Sequence, residues 1–242
     1  MKIKTLMAVA ALGWSALGFA QDYPSKSVTL LVPSVAGGAL DSLARSMADE
    51  LARQMGRPVI VENKPGASGI LAAQTVARAA PDGHTLLVTT SLPLTNAPFL
   101  FSKLPYDPRR DFSLISQMCS GQLVLAVNAQ AVPAKSMKEF VAWAQQNRGK
   151  VAYGSYAVGG AGHLMSEYLS ASRKLEMVHA PYKSEAPMLQ DLVGGQIAWA
   201  IGTSGSFMPH LASGKLRALV VLGDHRIAEL PDVPTMAEAG FT

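Results

Sequence analysis

Two rhythms alternate along the first third of the chain. The β-branched and aliphatic run Val28–Val32 predicts a buried strand that ends at Pro33. After Gly37 and Gly38, apolar residues recur at Leu40, Leu43, Ala44, Met47, Ala48, Leu51 and Met55, three and four apart. That spacing is one face of a helix, and Gly56 closes it in the usual C-cap place. Pro58–Glu62 reads as a second strand and Pro65–Gly69 as a turn ending near a Ser N-cap. Ile70–Ala80 reads as an Ala-rich helix stopped by Pro81-Asp82-Gly83, and Thr85–Thr90 as a third strand. The β-α-β-α-β order predicts parallel strands with right-handed crossovers.

A proline-rich loop follows, with Pro93, Pro98, Pro105 and Pro108, and then two apolar runs, Phe112–Met118 and Leu123–Val127, that read as strands. Past a crossing at Ala131–Ser136 the same logic repeats. Ser136 and Glu139 form a capping box that opens a helix to about Asn147. Strands are predicted at Val151–Ser155, Met177–Ala180, Ile197–Ile201 and Leu216–Leu222. Helices fall after Gly162, at Pro187–Val193 and at Phe207–Ser213. Both halves are therefore α/β. Thr235–Glu238 is a second capping box, and because the chain stops at Thr242, further helix and further protein are expected beyond it.

The first 20 residues stand apart. Lys2 and Lys4, the apolar run Leu6–Leu17 and Gly18-Phe19-Ala20 have the form of a secretory signal peptide, whose apolar run is too short to span a bilayer. Removing it lowers the formal charge from +4 to +2. The remaining cations are scattered and not interleaved with aromatics, so nucleic acid is not an expected partner. Cys119 is the single cysteine. It can form neither a disulfide framework nor a thiolate metal site, and its apolar surroundings predict a buried thiol.

Four turns follow predicted strand ends: Ser34–Gly38, Thr89–Ser91, Ser155–Gly162 and Gly202–Ser206. They are rich in glycine and hydroxyls and poor in charge. Helix-start amides behind a glycine turn bind carboxylate or phosphate without a cation. Open α/β sheets bind ligands at such strand ends. Asp41, in the first turn, either complements the helix dipole or faces the ligand. Arg45, four residues on, is placed to pair with it. The cradle itself is expected to depend on Gly38.

Sharper chemistries fail. Gly154–Gly159 lacks the Lys-Ser/Thr of a P-loop, and Gly202–Gly205 is one residue short of a nucleophile elbow. His163 and Glu167 share a helix face but lack a third zinc ligand in sequence. His179 reads as a structural histidine and Trp143 and Trp199 as core. A Ser/His hydrolase using Ser155 or Ser204 with His163 is the alternative from another class, with no acid placed to orient the histidine.

The ordered segments YPSKSVTLLVP-x-x-AGGALDSLAR (Tyr23–Arg45), RPVIVENKPGASG (Arg57–Gly69), APDGHTLL (Ala80–Leu87), KLPYDPRRDF (Lys103–Phe112) and VPAKSMKEF (Val132–Phe140) form a recognisable series. YGS and GHL (Tyr153–Ser155, Gly162–Leu164), HAPYKSEAPMLQDLVGGQ (His179–Gln196), PHLASGKLRALVV (Pro209–Val221) and LPDVPTMAEAG (Leu230–Gly240) complete it. The sequence resembles the periplasmic receptors of tripartite tricarboxylate transporters, the Bug family. The resemblance implies a type II periplasmic binding protein with two α/β domains and an interdomain cleft. Domain one would occupy 21–127 and domain two 128–223, with 224–242 returning to a first domain whose C-terminal part is missing. It implies a periplasmic, monomeric receptor without enzymatic activity, cofactor or metal. Such a receptor captures a small carboxylate, an organic acid or amino acid, and delivers it to a membrane permease. A receptor serving a sensor kinase is the alternative on the same fold. Ser34, Gly37, Gly38, Asp41, Thr90 and Ser91 would face Ser155, Gly160, His163 and Thr203 across the cleft. Departures lie at Ser34-Val35 (usually Phe-Pro), Leu92-Pro93, Gly160-Ala161 and Gly202 (commonly Asp), and they predict a less acidic cleft.

Overall fold

The computed structural model describes residues 23–241, so the predicted signal peptide lies outside the described residues. The first lobe is a parallel sheet of β1 (Val28–Val32), β2 (Val59–Asn63) and β3 (Thr85–Leu87) in the order β2-β1-β3. Helices α1 (Ala39–Met55) and α2 (Ile70–Ala77) make the crossovers. Because β1 is central and covered, both of its faces are apolar: Val28, Leu30, Leu31 and Val32 are all buried. Val28, Leu30 and Val32 share a core with Ala44 and Ala48 of α1 and with Val88. The third strand is shorter than expected. Val88 N–H still bonds Leu31 O (3.0 Å), and then the chain leaves the sheet towards a π-turn at Leu92–Asn96 and a one-turn helix α3 (Ala97–Leu100).

The second lobe has five strands in the order β6-β5-β7-β4-β8: β4 (Leu123–Asn128), β5 (Ala152–Tyr156), β6 (Val178–Tyr182), β7 (Trp199–Thr203) and β8 (Leu216–Leu222). Strands β6, β5 and β7 are mutually parallel, while β4 runs antiparallel to β7 and β8. Helices α4 (Met137–Gln146), α5 (Ala161–Ser172), α6 (Glu185–Val193) and α7 (Ser204–Ala212) cover it. One face packs Trp199, Tyr153 and Phe140, and the other Met188, Leu192 and Phe207. The Ser136 capping box is formed, its hydroxyl accepting Glu139 N–H (3.2 Å).

Four expectations are corrected. Phe112–Met118 forms no strand, and Leu114 and Ile115 are 82% and 77% exposed. An apolar run becomes a strand only when a sheet edge accepts it, and this one pairs with none among the described residues. Cys119, in the same extended stretch, is exposed, not buried. Leu123–Val127 pairs with β7 and β8, so the first lobe's segment ends before Leu123 instead of at 127. The segment 224–241 does not pack on the first lobe. Leu230, Val233, Met236, Ala239 and Phe241 cover the second lobe's two cores, and Thr235 bridges to Val221. The Thr235–Glu238 capping box closes in both directions (3.1 and 2.8 Å), but it caps turns instead of a helix.

Candidate functional site

Where β1 ends, Gly37 takes a left-handed backbone (φ +81°), open to glycine at no steric cost. Gly38 follows in extended geometry (φ −76°, ψ 166°) and α1 begins at Ala39. Gly38 N–H reaches back to Val35 O (3.4 Å), and Ser42 is the first residue to bond along the helix, to Gly38 O (2.9 Å). The amides of Ala39, Leu40 and Asp41 precede that ladder, at the positive end of a 17-residue helix. Gly37 and Ala39 are exposed, so the turn is open.

Asp41 braces this turn from behind. Its buried carboxylate accepts Gly37 N–H (2.8 Å), Arg45 Nε (3.0 Å) and Asn63 Nδ2 (2.8 Å). Asn63 also donates to Ser34 O (3.1 Å) and accepts from Arg45 (3.0 Å). The Arg45 and Asn63 donors and Gly37 N–H hold the Asp41 carboxyl down at about 2. Of its two sequence-level roles, Asp41 fills the supporting one: its oxygens are spent inside the protein.

The second lobe builds the same turn. Gly159 is left-handed (φ +86°) and Gly160 extended (φ −72°, ψ 168°), with α5 starting at Ala161. Gly160 N–H bonds Ala157 O (2.7 Å) and Leu164 N–H bonds Gly160 O (3.0 Å). Gly159 N–H donates to His163 Nδ1 (3.1 Å), as Gly37 N–H does to Asp41. The two stretches, Val35-Ala36-Gly37-Gly38-Ala39-Leu40-Asp41 and Ala157-Val158-Gly159-Gly160-Ala161-Gly162-His163, thus share the geometry of both glycines and the hydrogen bonds around them. An acceptor four residues after the left-handed glycine ties each one down. Ala157 is itself left-handed (φ +59°), a strained conformation for a residue with a Cβ.

The lobes meet at this second turn. Ser68 Oγ donates to Val158 O (3.0 Å) and Asn96 Nδ2 to Gly159 O (3.1 Å). Gly159 lies so close to Leu100 that a Cβ there would stand 2.6 Å from its Cδ1. On the first-lobe side, Gly69 sits between Pro33 and Pro93, so the ends of β1 and β3 and the start of α2 converge on one rim. Two hydroxyls following neighbouring strands, Ser34 Oγ and Thr89 Oγ1, are buried there without a hydrogen-bond partner among the described residues. Thr90 and Ser91 are exposed, and Ser91 O is taken by Thr95. The buried donor after β3 is therefore Thr89, one residue earlier than the predicted pair. Ser155 is buried and bonds His179 Nε2 (2.7 Å), not His163. Thr203 is bound by Glu185. Two surface cavities, about 330 and 460 Å³, lie elsewhere, beside Lys135 and Pro234 and beside Phe99 and Arg109, and neither reaches these turns.

Comparison with known proteins fits this geometry. The family model of the tripartite tricarboxylate transporter family receptor matches residues 43–242. The chain belongs to that receptor family. BugT of Bordetella pertussis is 34% identical over 234 residues, 96% of this chain and 72% of BugT. MatC from Rhodopseudomonas palustris, solved with bound malate, superposes with a TM-score of 0.80 at 34% identity, covering 90% of this chain and 74% of MatC. An R. palustris protein solved with adipate superposes at 0.82 and 33% identity, covering 90% of this chain and 73% of the other. The chain is thus a periplasmic solute-binding receptor of the Bug type and not an enzyme. Among the described residues no helix is long and apolar enough to cross a membrane.

Behind the receptor's second turn lies a polar cluster that sequence spacing only half revealed. His179, from β6, stacks on Tyr153 (5.0 Å) and lies 4.4 Å from the His163 ring, and Tyr153 OH donates to Glu167. Candidate ligand atoms of His163, Glu167 and His179 come within 4.8 Å of one another, supplying the third residue that the sequence lacked. The His163 ring is already engaged, however. His163 Nδ1 accepts an amide proton, which leaves the proton of the neutral ring on Nε2. Metal ligation at that nitrogen requires a free lone pair, so His163 serves the turn as a hydrogen-bonded support. Unchanged solute binding after exhaustive chelation and dialysis is expected. Stoichiometric metal required for binding would contradict this account.

Burial lowers the His179 pKa, the neighbouring His163 lowers it further, and Glu167 opposes both. The unfolded chain therefore takes up this proton more readily. The contribution is complete above the ordinary value of 6.5 and is lost as pH falls below it. Urea midpoints of the receptor should drop between pH 7.5 and 5.5, and His179→Asn should flatten that dependence. Equal slopes in the two proteins would contradict it. The Asp41 brace, with a depressed pKa, stays ionised until pH approaches about 2 and does not contribute to the slope.

Proposed function

We propose that this receptor holds the carboxylate of a small organic acid or amino acid between its two glycine turns and delivers the ligand to a tripartite tricarboxylate-type permease. The observation that carries the reading is the first-lobe rim. Two buried hydroxyls without partners among the described residues, Ser34 Oγ and Thr89 Oγ1, follow β1 and β3, and three helix-start amides after β1 are not engaged in the α1 ladder. Buried polar groups are nearly always paired, so a polar ligand or water is what they lack. The donors are neutral, and Arg45, a turn into α1, is tied to Asp41 and Asn63. That set suits a carboxylate better than a polyphosphate. The malate and adipate held by the two related structures agree with this chemical class.

A thermal-shift screen of the mature protein against carboxylates, amino acids and sugars tests the reading. A carboxylate at 100 times its dissociation constant should stabilise the fold by about 2.7 kcal/mol. A stabilising sugar or amine, with every carboxylate silent, would overturn it.

A further inference from the structure

The turn Gly202–Ser206 reads from sequence as one more neutral anion cradle, but in the structure it is already filled. Glu185, the first residue of α6, turns its carboxylate onto the start of α7. Oε1 accepts Thr203 N–H (2.5 Å), and both oxygens accept the Thr203 hydroxyl (3.0 and 2.9 Å). Oε2 also accepts Ser206 Oγ (3.2 Å). Thr203 is the residue capping α7; its side chain makes no cap bond, and its hydroxyl donates to Glu185. Gly202 makes room: a Cβ there would stand 2.6 Å from Glu185 Oε1 and 2.5 Å from the Phe207 ring. A carboxylate thus reaches the place of the missing Gly202 side chain from another helix.

Every donor to Glu185 is neutral, and among the described residues no Lys, Arg or His pairs with it. Burial pushes the Glu185 pKa above the ordinary carboxylate value, and the Thr203 amide with the Thr203 and Ser206 hydroxyls acts against that rise. Its surroundings adjoin the second glycine turn. Strands β5 and β7 are parallel neighbours, so Tyr156 and Thr203 end on one side. A Cβ on Gly162, in the first turn of α5, would stand 3.0 Å from Ile201 O, which places the two helix starts side by side.

We propose that Glu185 determines specificity: it is an internal anion in the second lobe's outer cradle, so the receptor accepts ligands with one anionic group and rejects those whose second anion must sit at the start of α7. The proposal rests on the carboxylate reading of this cleft. The first carboxylate goes to the open glycine turns, and the end facing Glu185 is left to a neutral or cationic group. A relative can hold a dicarboxylate and this chain still refuse one, because a like charge fixed in the wall disfavours the second anion.

Calorimetric titration of matched pairs, butyrate with succinate and hexanoate with adipate, tests it on wild type and Glu185→Gln. The amide keeps the size and an acceptor for Thr203 N–H while removing the charge. In wild type the monocarboxylate of at least one pair should bind about tenfold or more tighter than its dicarboxylate. In Glu185→Gln that preference should shrink about tenfold or reverse, chiefly through a gain by the dicarboxylate. Wild type binding succinate or adipate as tightly as its partner would overturn the proposal without any variant, and so would a ratio unchanged by Glu185→Gln. Silence of all four acids on folded wild type would overturn the carboxylate reading together with this inference.

Discussion

Gly37→Val is expected to weaken carboxylate binding by about a hundredfold or more, whereas Arg45→Ala should cost about tenfold or less. Gly37 sits at φ +81° with nothing within 4 Å of where a Cβ would be, so the damage is conformational and not a collision. A β-branched residue resists the left-handed region by roughly 1–2 kcal/mol. Relieving that strain lifts Gly37 N–H away from Asp41 Oδ2 and re-aims the Ala39, Leu40 and Asp41 amides together. Arg45, with its side chain half exposed, contributes one bond to Asp41 and one to Asn63, and exposed ion pairs are worth little. Sequence reasoning placed the critical glycine at Gly38. The structure moves it one residue back, because Gly38 is at φ −76° and its Cβ would stand 3.4 Å from Val35 O. Gly38→Ala should therefore retain affinity to within about threefold, a small fraction of one hydrogen bond to a charged group. Titration of all three variants, each first shown to be folded by circular dichroism, checks the ranking. Loss of binding in Arg45→Ala with retention in Gly37→Val would mean that a side-chain cation holds the anion.

Trp199→Ala is expected to cost about 3–5 kcal/mol of stability. Trp199 is fully buried on β7, edge-on to Phe140 (5.4 Å) and tilted against Tyr153 (5.2 Å). Removing the indole leaves a cavity that a sheet interior cannot close by collapse. Its Nε1 is buried without a partner, so Trp199→Phe gives up no hydrogen bond and should cost clearly less. The effect reaches the site, because Tyr153 carries the stacked His179, which in turn holds Ser155. Urea unfolding of the two variants should separate by more than 1 kcal/mol, on the order of one or two buried methylenes. A Trp199→Ala loss below about 1.5 kcal/mol would show that the second lobe's core lies elsewhere.

The strand–turn–helix pattern was legible wherever local burial dictated it. Val28–Val32 and the three-and-four spacing through α1 hold nearly to the residue, down to Gly56 at φ +63°. Parallel pairing in the first lobe also followed from element order alone. What failed depended on partners distant in sequence. Phe112–Met118 has strand composition but no sheet edge to join among the described residues, and Leu123–Val127 sits beside residues 199–203 and 216–222. At the site, the glycine turns were visible as sequence. Their equivalence, Gly-Gly-Ala followed by an acceptor at the same offset in both lobes, emerges with the hydrogen bonds of Asp41 and His163. The roles of Asn63, Thr89, His179 and Glu185 were not visible. Each acts across a sheet or from another helix, and no local spacing records which hydroxyl is left unpaired or which carboxylate fills a helix start. Asp41 shows the converse: its pairing with Arg45 was a matter of helical offset and is present at 3.0 Å.

The most direct measurement is an amide-resolved nitrogen–proton NMR titration of the mature receptor with a carboxylate found in the thermal-shift screen. The account predicts the largest shifts at the first-turn amides Ala39, Leu40 and Asp41, with matching changes at Ala161, Gly162 and His163. The Arg45 Nε–H signal should stay close to its free position. Large movement of Arg45 Nε–H, with those six amides unmoved at saturation, would contradict it.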